Sequence, residues 1–164
     1  MRWGVNAQKV CIAGLLHDCG KLNHLIKYKK NKDFEGIERE LGILFDKDDR
    51  KTPPIWHAFA SASVARKIFK ISDKDIITAI KIHPTGDINM SPVAIILFVA
   101  DFIEPNRRFE GVEKFRKLSF ENLSESFKNI LEIKINYVIK DKKHLHPRSK
   151  MAMEYYKEKG VNIH

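Results

Sequence analysis

Cysteine, long apolar runs, glycine and proline are all scarce in this chain. The two cysteines, Cys11 and Cys19, have a spacing that suits neither a zinc knuckle nor a redox CxxC pair. Both are read as reduced packing residues. The longest uncharged apolar run, residues 92–100, ends at Asp101, well short of the roughly 20 residues that span a bilayer. No membrane partner is expected. The opening MRWGVNAQKVC has neither the apolar stretch nor the small-residue cleavage site of a secretory signal, so a cytoplasmic location is expected. With 8 glycines, 6 prolines and 43% hydrophobic residues, disordered and fibrous classes are excluded. A length of 164 residues fits a single domain over 1–164.

Positive charge is abundant. Thirty Lys and Arg against 21 Asp and Glu leave a formal charge of +9, which favours an anionic partner, and phosphates are the usual anions inside cells. Much of the surplus lies in residues 27–32 (KYKKNK) and 140–143 (KDKK), read as solvated loop and helix-end lysines.

Apolar residues recur at helical spacing nearly everywhere, and no strand pair with hairpin chemistry is present. The expected class is all-α. A first helix over 6–18 buries Val10, Ile12, Ala13, Leu15 and Leu16 and ends at Gly20, where a left-handed cap costs little. His17 and Asp18 therefore sit at a helix C-terminus. A second helix over 34–44 is stopped by the charged run DKDDRK and Pro53-Pro54. A third spans 55–69, with His57 in its first turn. Ser72 and Asp75 open a fourth as a capping-box-like pair, and His83-Pro84-Thr85-Gly86 breaks it. Ser91 and Pro92 start a very apolar helix through Ile103, the expected central one, which Pro105 ends. A short helix over 111–118, a long one capped by Ser119 and reaching about residue 139, the loop HLHPRS, and a last helix over 149–159 complete the pattern.

His17, Asp18 and Asp101 stand where packing alone would want apolar side chains. An unpaired carboxylate inside VAIILFVADFI would cost on the order of several kcal/mol, so Asp101 needs a metal or a cation such as Arg107. Both explanations stay open at this level. An adjacent His-Asp pair at a helix end is a weak signal alone. It strengthens because His57 and His83 can converge with it and with Asp101 in a helical bundle, where metal sites are commonly built. Imidazole and carboxylate without thiolate suit iron, manganese or another first-row divalent ion. Such an ion supplies hydroxide near neutral pH for in-line attack on phosphorus, while nearby cations stabilise charge on the other oxygens. Lys21, Arg107 and Arg148 lie near motif residues for that work.

In order and spacing, His17-Asp18 followed by Lys21 in AGLLHDCGKL, then Trp56-His57-Ala58, then IHPTGDINMS, then VADFIEPNRR resemble the YqeK-type HD-domain family of symmetrical bis(5'-nucleosyl)-tetraphosphatases. The match covers about residues 5–155. Pro84 follows His83 where family members commonly have HisThr, with Thr85 one place later.

The resemblance implies an all-α HD-domain helical bundle and a bound divalent metal, with iron expected and manganese or another first-row ion as substitutes. It also implies hydrolysis of diadenosine tetraphosphate to two ADP. Carried residue by residue, His17, Asp18 and Asp101 match metal ligands. Asp18 also orients the attacking water, and Lys21 neutralises phosphate charge. His57 and His83 match phosphate-facing histidines, His83 also counting among the catalytic groups with Asp18 and Lys21. Arg107 matches a nucleotide-contacting arginine, and Pro84 lies beside the same site. Leu145, His146, Pro147, Arg148, Ser149 and Lys150 match the late loop that closes on the nucleotide, His146 and Arg148 being the chosen contacts within it.

One departure concerns a further metal-binding histidine, which the family carries on a helix before the HD helix. Only MRWGVN precedes Ala7 here. The expectation is that Met1 is an internal methionine of a longer natural protein, since loss of a whole helix would expose the apolar face of the next. The alternative is a truncated form with one ligand fewer. A homodimer is one expectation for a helical surface without its cover.

His24, His144 and His164 are assigned no role. Phe98, Phe102, Trp56 and Met90 are read as core in preference to an adenine platform. Two other functions stay in view: an HD-domain hydrolase of another nucleotide, and a non-catalytic basic module binding RNA or ribosome. A nucleic-acid partner is not expected, because no aromatic-interleaved basic patch or RNA-binding motif is found.

Overall fold

The computed structural model describes residues 3–21 and 33–163, and among them every regular element is helical. The sequence expectation of an all-α class is met. The basic run at 27–32, His24 and His164 lie outside the described residues.

Helix α1 spans Ala7–Leu16, opened by the Asn6 side chain, which accepts from the Gln8 and Lys9 amides. Helix α2, Phe34–Leu41, is strongly amphipathic and ends at Gly42, whose φ of 62° is the left-handed cap that glycine adopts cheaply. A short helix α3, Lys47–Arg50, follows, then a 3-10 turn over Pro53–Ile55 that runs into α4, Trp56–Lys67. The remaining helices are α5 (Lys74–Ile82), α6 (Pro92–Ile103), α7 (Val112–Glu121), α8 (Leu123–Lys140) and α9 (Pro147–Lys159).

As expected, α6 is central, packing on α1, α5, α7 and α8. Its Val93, Ala94, Ile95, Leu97, Phe98 and Val99 are buried, and each large one stabilises the fold by about 1.5–3 kcal/mol. Phe98 meets Phe127 of α8 edge-on, so truncating it to alanine would cost about 3–5 kcal/mol. A smaller cluster forms around Trp56, with Ile37, Leu41, Phe45 and Phe59. There the Trp56 indole N–H donates to the Asp49 carbonyl at 2.7 Å, which ties α3 to the start of α4. Phe98, Trp56 and Met90 are core residues, as expected.

Several boundaries differ from the sequence expectation. The charged run 46–51 does not simply stop a helix. Asp46 and Asp49 form a reciprocal capping box that makes α3. Asp73, not the Ser72–Asp75 pair, caps α5. Asn122, not Ser119, caps α8, because α7 continues through Glu121. The last helix starts at Pro147 with His146 as its cap, two residues early. Leu15 and Cys11, expected inside, face outward from α1, Leu15 with 76% of its surface exposed.

Gly20 is not the left-handed cap that the pattern suggests. It is required for close approach: a Cβ there would fall 2.3 Å from the Ser61 amide nitrogen of α4. The Gly20 amide donates to Ser61 Oγ at 2.8 Å, and this contact presses the residues after α1 onto α4.

Candidate functional site

Four helix ends meet at one place. His17 caps the C-terminus of α1 with Asp18 next to it, His57 lies in the first turn of α4, His83 caps the C-terminus of α5, and Asp101 stands in the last turns of α6. His17 Nε2 lies 3.5 Å from Asp18 Oδ2 and 3.8 Å from Asp101 Oδ1. Asp18 Oδ1 lies 3.4 Å from His57 Nε2 and 3.9 Å from His83 Nε2. The residues singled out as His17, Asp18, His57, His83 and Asp101 are thus brought together.

All three histidines are held the same way. His17 Nδ1 sits 2.6 Å from the Gly14 carbonyl, His57 Nδ1 2.7 Å from that of Pro54, and His83 Nδ1 2.8 Å from that of Ile80. A carbonyl only accepts, so each Nδ1 carries a proton and each Nε2 is turned inward. His57 Nε2 and His83 Nε2 face one another at 3.2 Å. Asp18 Oδ1 is buried and receives no hydrogen bond among the described residues. The inward Nε2 atoms of His17 and His83, with the Asp18 carboxylate, make up the donor set a divalent cation needs. His17, Asp18 and His83 each place one such atom within 4.8 Å of the others.

The electrostatics of the two buried-side rings differ. Burial pushes the His83 imidazole down to about 3, so it stays neutral. His17 is raised, chiefly by its contact with Asp101. Burial works to raise the Asp101 carboxyl, but His17 and the cations Lys134 and Arg107 outweigh it and hold the carboxyl far below its ordinary range.

Arg107 Nη2 lies 3.0 Å from Asp101 Oδ1, so the arginine partner considered for Asp101 is present, alongside His17. Lys21 Nζ donates to Asp18 Oδ2 at 2.5 Å from the solvent side. Lys134 of α8 was not anticipated. Its Nζ lies 3.8 Å from Asp101 Oδ2, and burial lowers it to about 8. It carries no motif, but a lysine three and four residues after buried Leu131 and Ile130 lies on the apolar stripe of α8, a place where sequence alone flags a charge.

Two cavities share Asp101 and Arg107. One, about 550 Å³, is lined by His17, Asp18, Lys21 and Glu104. The other, about 600 Å³, runs from Asp101 and Arg107 along Phe102, Leu131 and Tyr137 to Leu145. Pro84 and Ser149 also reach its wall. Phe102, read as core, is one of its lining rings.

The late loop divides. Leu145 and Ser149 reach the cavity, and Ser149 Oγ donates to the Thr85 carbonyl at 2.8 Å. His146 and Arg148 face Asp49 instead: His146 Nε2 lies 3.1 Å and Arg148 Nη2 2.7 Å from the same Asp49 Oδ1. Asp46, Asp49 and His146 also come close enough to hold a cation, but the arginine already neutralises Asp49. Pro147 is exposed at the helix start, and Lys150 points outward near Glu154. His144 lies 3.2 Å from Asp48.

Comparison with known proteins points the same way. The HD domain family matches residues 1–106. The symmetrical bis(5'-nucleosyl)-tetraphosphatase of Halalkalibacterium halodurans is 34% identical over 88% of this chain and 74% of its own length. The protein of that name from Bacillus subtilis is 32% identical over 76% of this chain, which spans 63% of it. A predicted HD superfamily hydrolase involved in NAD metabolism from Clostridium acetobutylicum superposes with a TM-score of 0.84 at 30% identity, covering 96% of this chain and 80% of that one.

Proposed function

This chain belongs to the HD domain family, and on that premise we propose that it is a metal-dependent phosphohydrolase that cleaves diadenosine tetraphosphate symmetrically into two ADP. The observation that carries the reading is the buried Asp18 Oδ1, which receives no hydrogen bond among the described residues and is grouped with the ring nitrogens of His17 and His83, beside a cavity rimmed by Arg107. His17, Asp18 and Asp101 would hold the ion, with iron our choice among first-row metals and His83 close enough to join. When bound, such an ion supplies a Lewis acid and an activated water.

The chain's own residues do the rest. Asp18 uses the oxygen not shared with Lys21 to orient the attacking water. Lys21, beside Asp18, and Arg107, beside Asp101, neutralise phosphate oxygens as charge builds on them. His57 and His83, fixed by their Nδ1 bonds, line the phosphate side. Pro84, Leu145 and Ser149 border the nucleoside side, while His146, Pro147, Arg148 and Lys150 shape the loop that carries them. The chain acts in the cytoplasm on this reading, where nucleotide phosphates are the abundant anions.

The test of the site is Asp101→Ala. Hydrolysis of diadenosine tetraphosphate should fall by at least about a hundredfold, with bound metal lost in parallel. Hydrolysis that survives with unchanged metal content overturns the assigned role. Faster turnover of a mononucleotide than of the dinucleotide would shift the substrate within the same chemistry.

A further inference from the structure

Lys134 is a cation whose surroundings account for only part of its charge. It projects from α8 into the space between α5 and α6. Nζ donates to the His83 carbonyl at 3.3 Å, lies 4.2 Å above the Phe98 ring and keeps 3.8 Å from Asp101 Oδ2. Its side chain is 24% exposed, and it forms part of the wall of the 600 Å³ cavity. Among the described residues, three that line that cavity are charged, Asp101, Arg107 and Lys134. Two cations thus share one carboxylate, which His17 also approaches. The rest of the wall is mostly apolar and aromatic, with Phe102, Phe109 and Tyr137 among its members. A cavity that is apolar along its length and cationic at one end fits a ligand with a flat apolar body and an anionic end. An ammonium in so poorly solvated a place attracts an anion far more strongly than a surface lysine does.

We infer that Lys134 is a substrate-binding residue that holds a phosphate oxygen of the nucleotide half lying in the Phe102–Tyr137 cavity, and so makes that cavity select nucleoside phosphates over nucleosides. The inference deepens the hydrolase reading and rests on it for the identity of the ligand. Lys134 is suited to this task as a point charge on a stem already fixed by the His83 carbonyl and the Phe98 face, so little freedom is lost when an anion arrives. Arg107, more exposed, approaches the same end of the cavity from the other side of Asp101.

The experiment measures binding of ADP and of adenosine to the metal-free chain by titration calorimetry, for the unaltered protein, Lys134→Met and Lys134→Arg. Lys134→Met keeps the stem and removes the charge. ADP affinity should fall by about tenfold or more, while adenosine affinity stays within about twofold. Lys134→Arg should retain most of the ADP affinity, and Lys134→Gln, measured in the same way, removes the charge with a different side chain, should show the same tenfold ADP loss with adenosine unchanged, and keeps the inference testable should Lys134→Met fail to fold. The inference is overturned if the unaltered chain shows no saturable ADP binding, if ADP binds a folded charge-removed variant as tightly as the unaltered chain, or if ADP and adenosine weaken equally in that variant. Its failure is distinct from that of the hydrolase reading: a chain that binds ADP through Lys134 yet leaves diadenosine tetraphosphate intact fails only the latter.

Discussion

His57 Nε2 and His83 Nε2 lie 3.2 Å apart, two ring nitrogens on different helices that both turn lone pairs toward Asp18. Their Nδ1 protons are committed to the Pro54 and Ile80 carbonyls, so neither ring can turn without breaking a hydrogen bond. The buried Asp18 Oδ1 beside them receives no hydrogen bond among the described residues and is costly to bury until a cation lies there.

Metal should therefore stabilise the fold. Adding iron(II) or manganese(II) at about 100 times its dissociation constant stabilises by about 2.7 kcal/mol, a rise in Tm of several degrees for a chain of this size. Thermal melts with and without a chelator check it, and superimposable curves would contradict it.

Gly20→Ala should destabilise the protein by about 1–3 kcal/mol and lower activity with it. The new Cβ would collide with the Ser61 amide nitrogen, a backbone atom that cannot yield alone. The shift would carry Asp18 away from His57. Melting temperature and ADP production, measured on the same preparation, should both fall, whereas Gly14→Ala, which meets nothing nearby, should change neither much.

Asp49 links α3 to the start of α9 and is 2% exposed. Burial works to raise its carboxyl, but the hydrogen bond with His146, the Asp46 amide and the Arg148 charge outweigh it and hold it below its ordinary 3.8. A carboxylate whose folded value is depressed contributes stability that is fully present above its unfolded value and is lost as pH falls through the folded one. The unaltered protein should thus lose stability below about pH 4, and Asp49→Asn should lose less over that interval while being less stable at pH 7. Denaturant melts between pH 2 and 7 test it, and parallel curves for the two proteins would contradict it.

How far the sequence reveals this molecule depends on the range of the interactions. The apolar run 92–100 ending at Asp101, and the HD pair before Gly20, identify the central helix and the site because their signals are local and their residue types are costly to bury. Helix α3 escapes such a reading because it is short and built from acidic residues capping one another, which look like a solvated loop. Asn122 and Ser119 are equally good caps by type, and only the continuation of α7 decides between them. His146 and Arg148 were read toward the nucleotide because their partner, Asp49, lies far away along the chain and carries no mark of being buried. Lys134 is one lysine among many until α8 is seen to turn it toward Asp101.

Symmetric cleavage at the His17-Asp18 site is read from ion-exchange analysis of the products formed when diadenosine tetraphosphate is incubated with the purified chain and added iron(II) or manganese(II). ADP should be the sole nucleotide product, and its formation should be abolished in Asp18→Ala. AMP and ATP in equal amounts, or ADP formation that persists in Asp18→Ala, would contradict it.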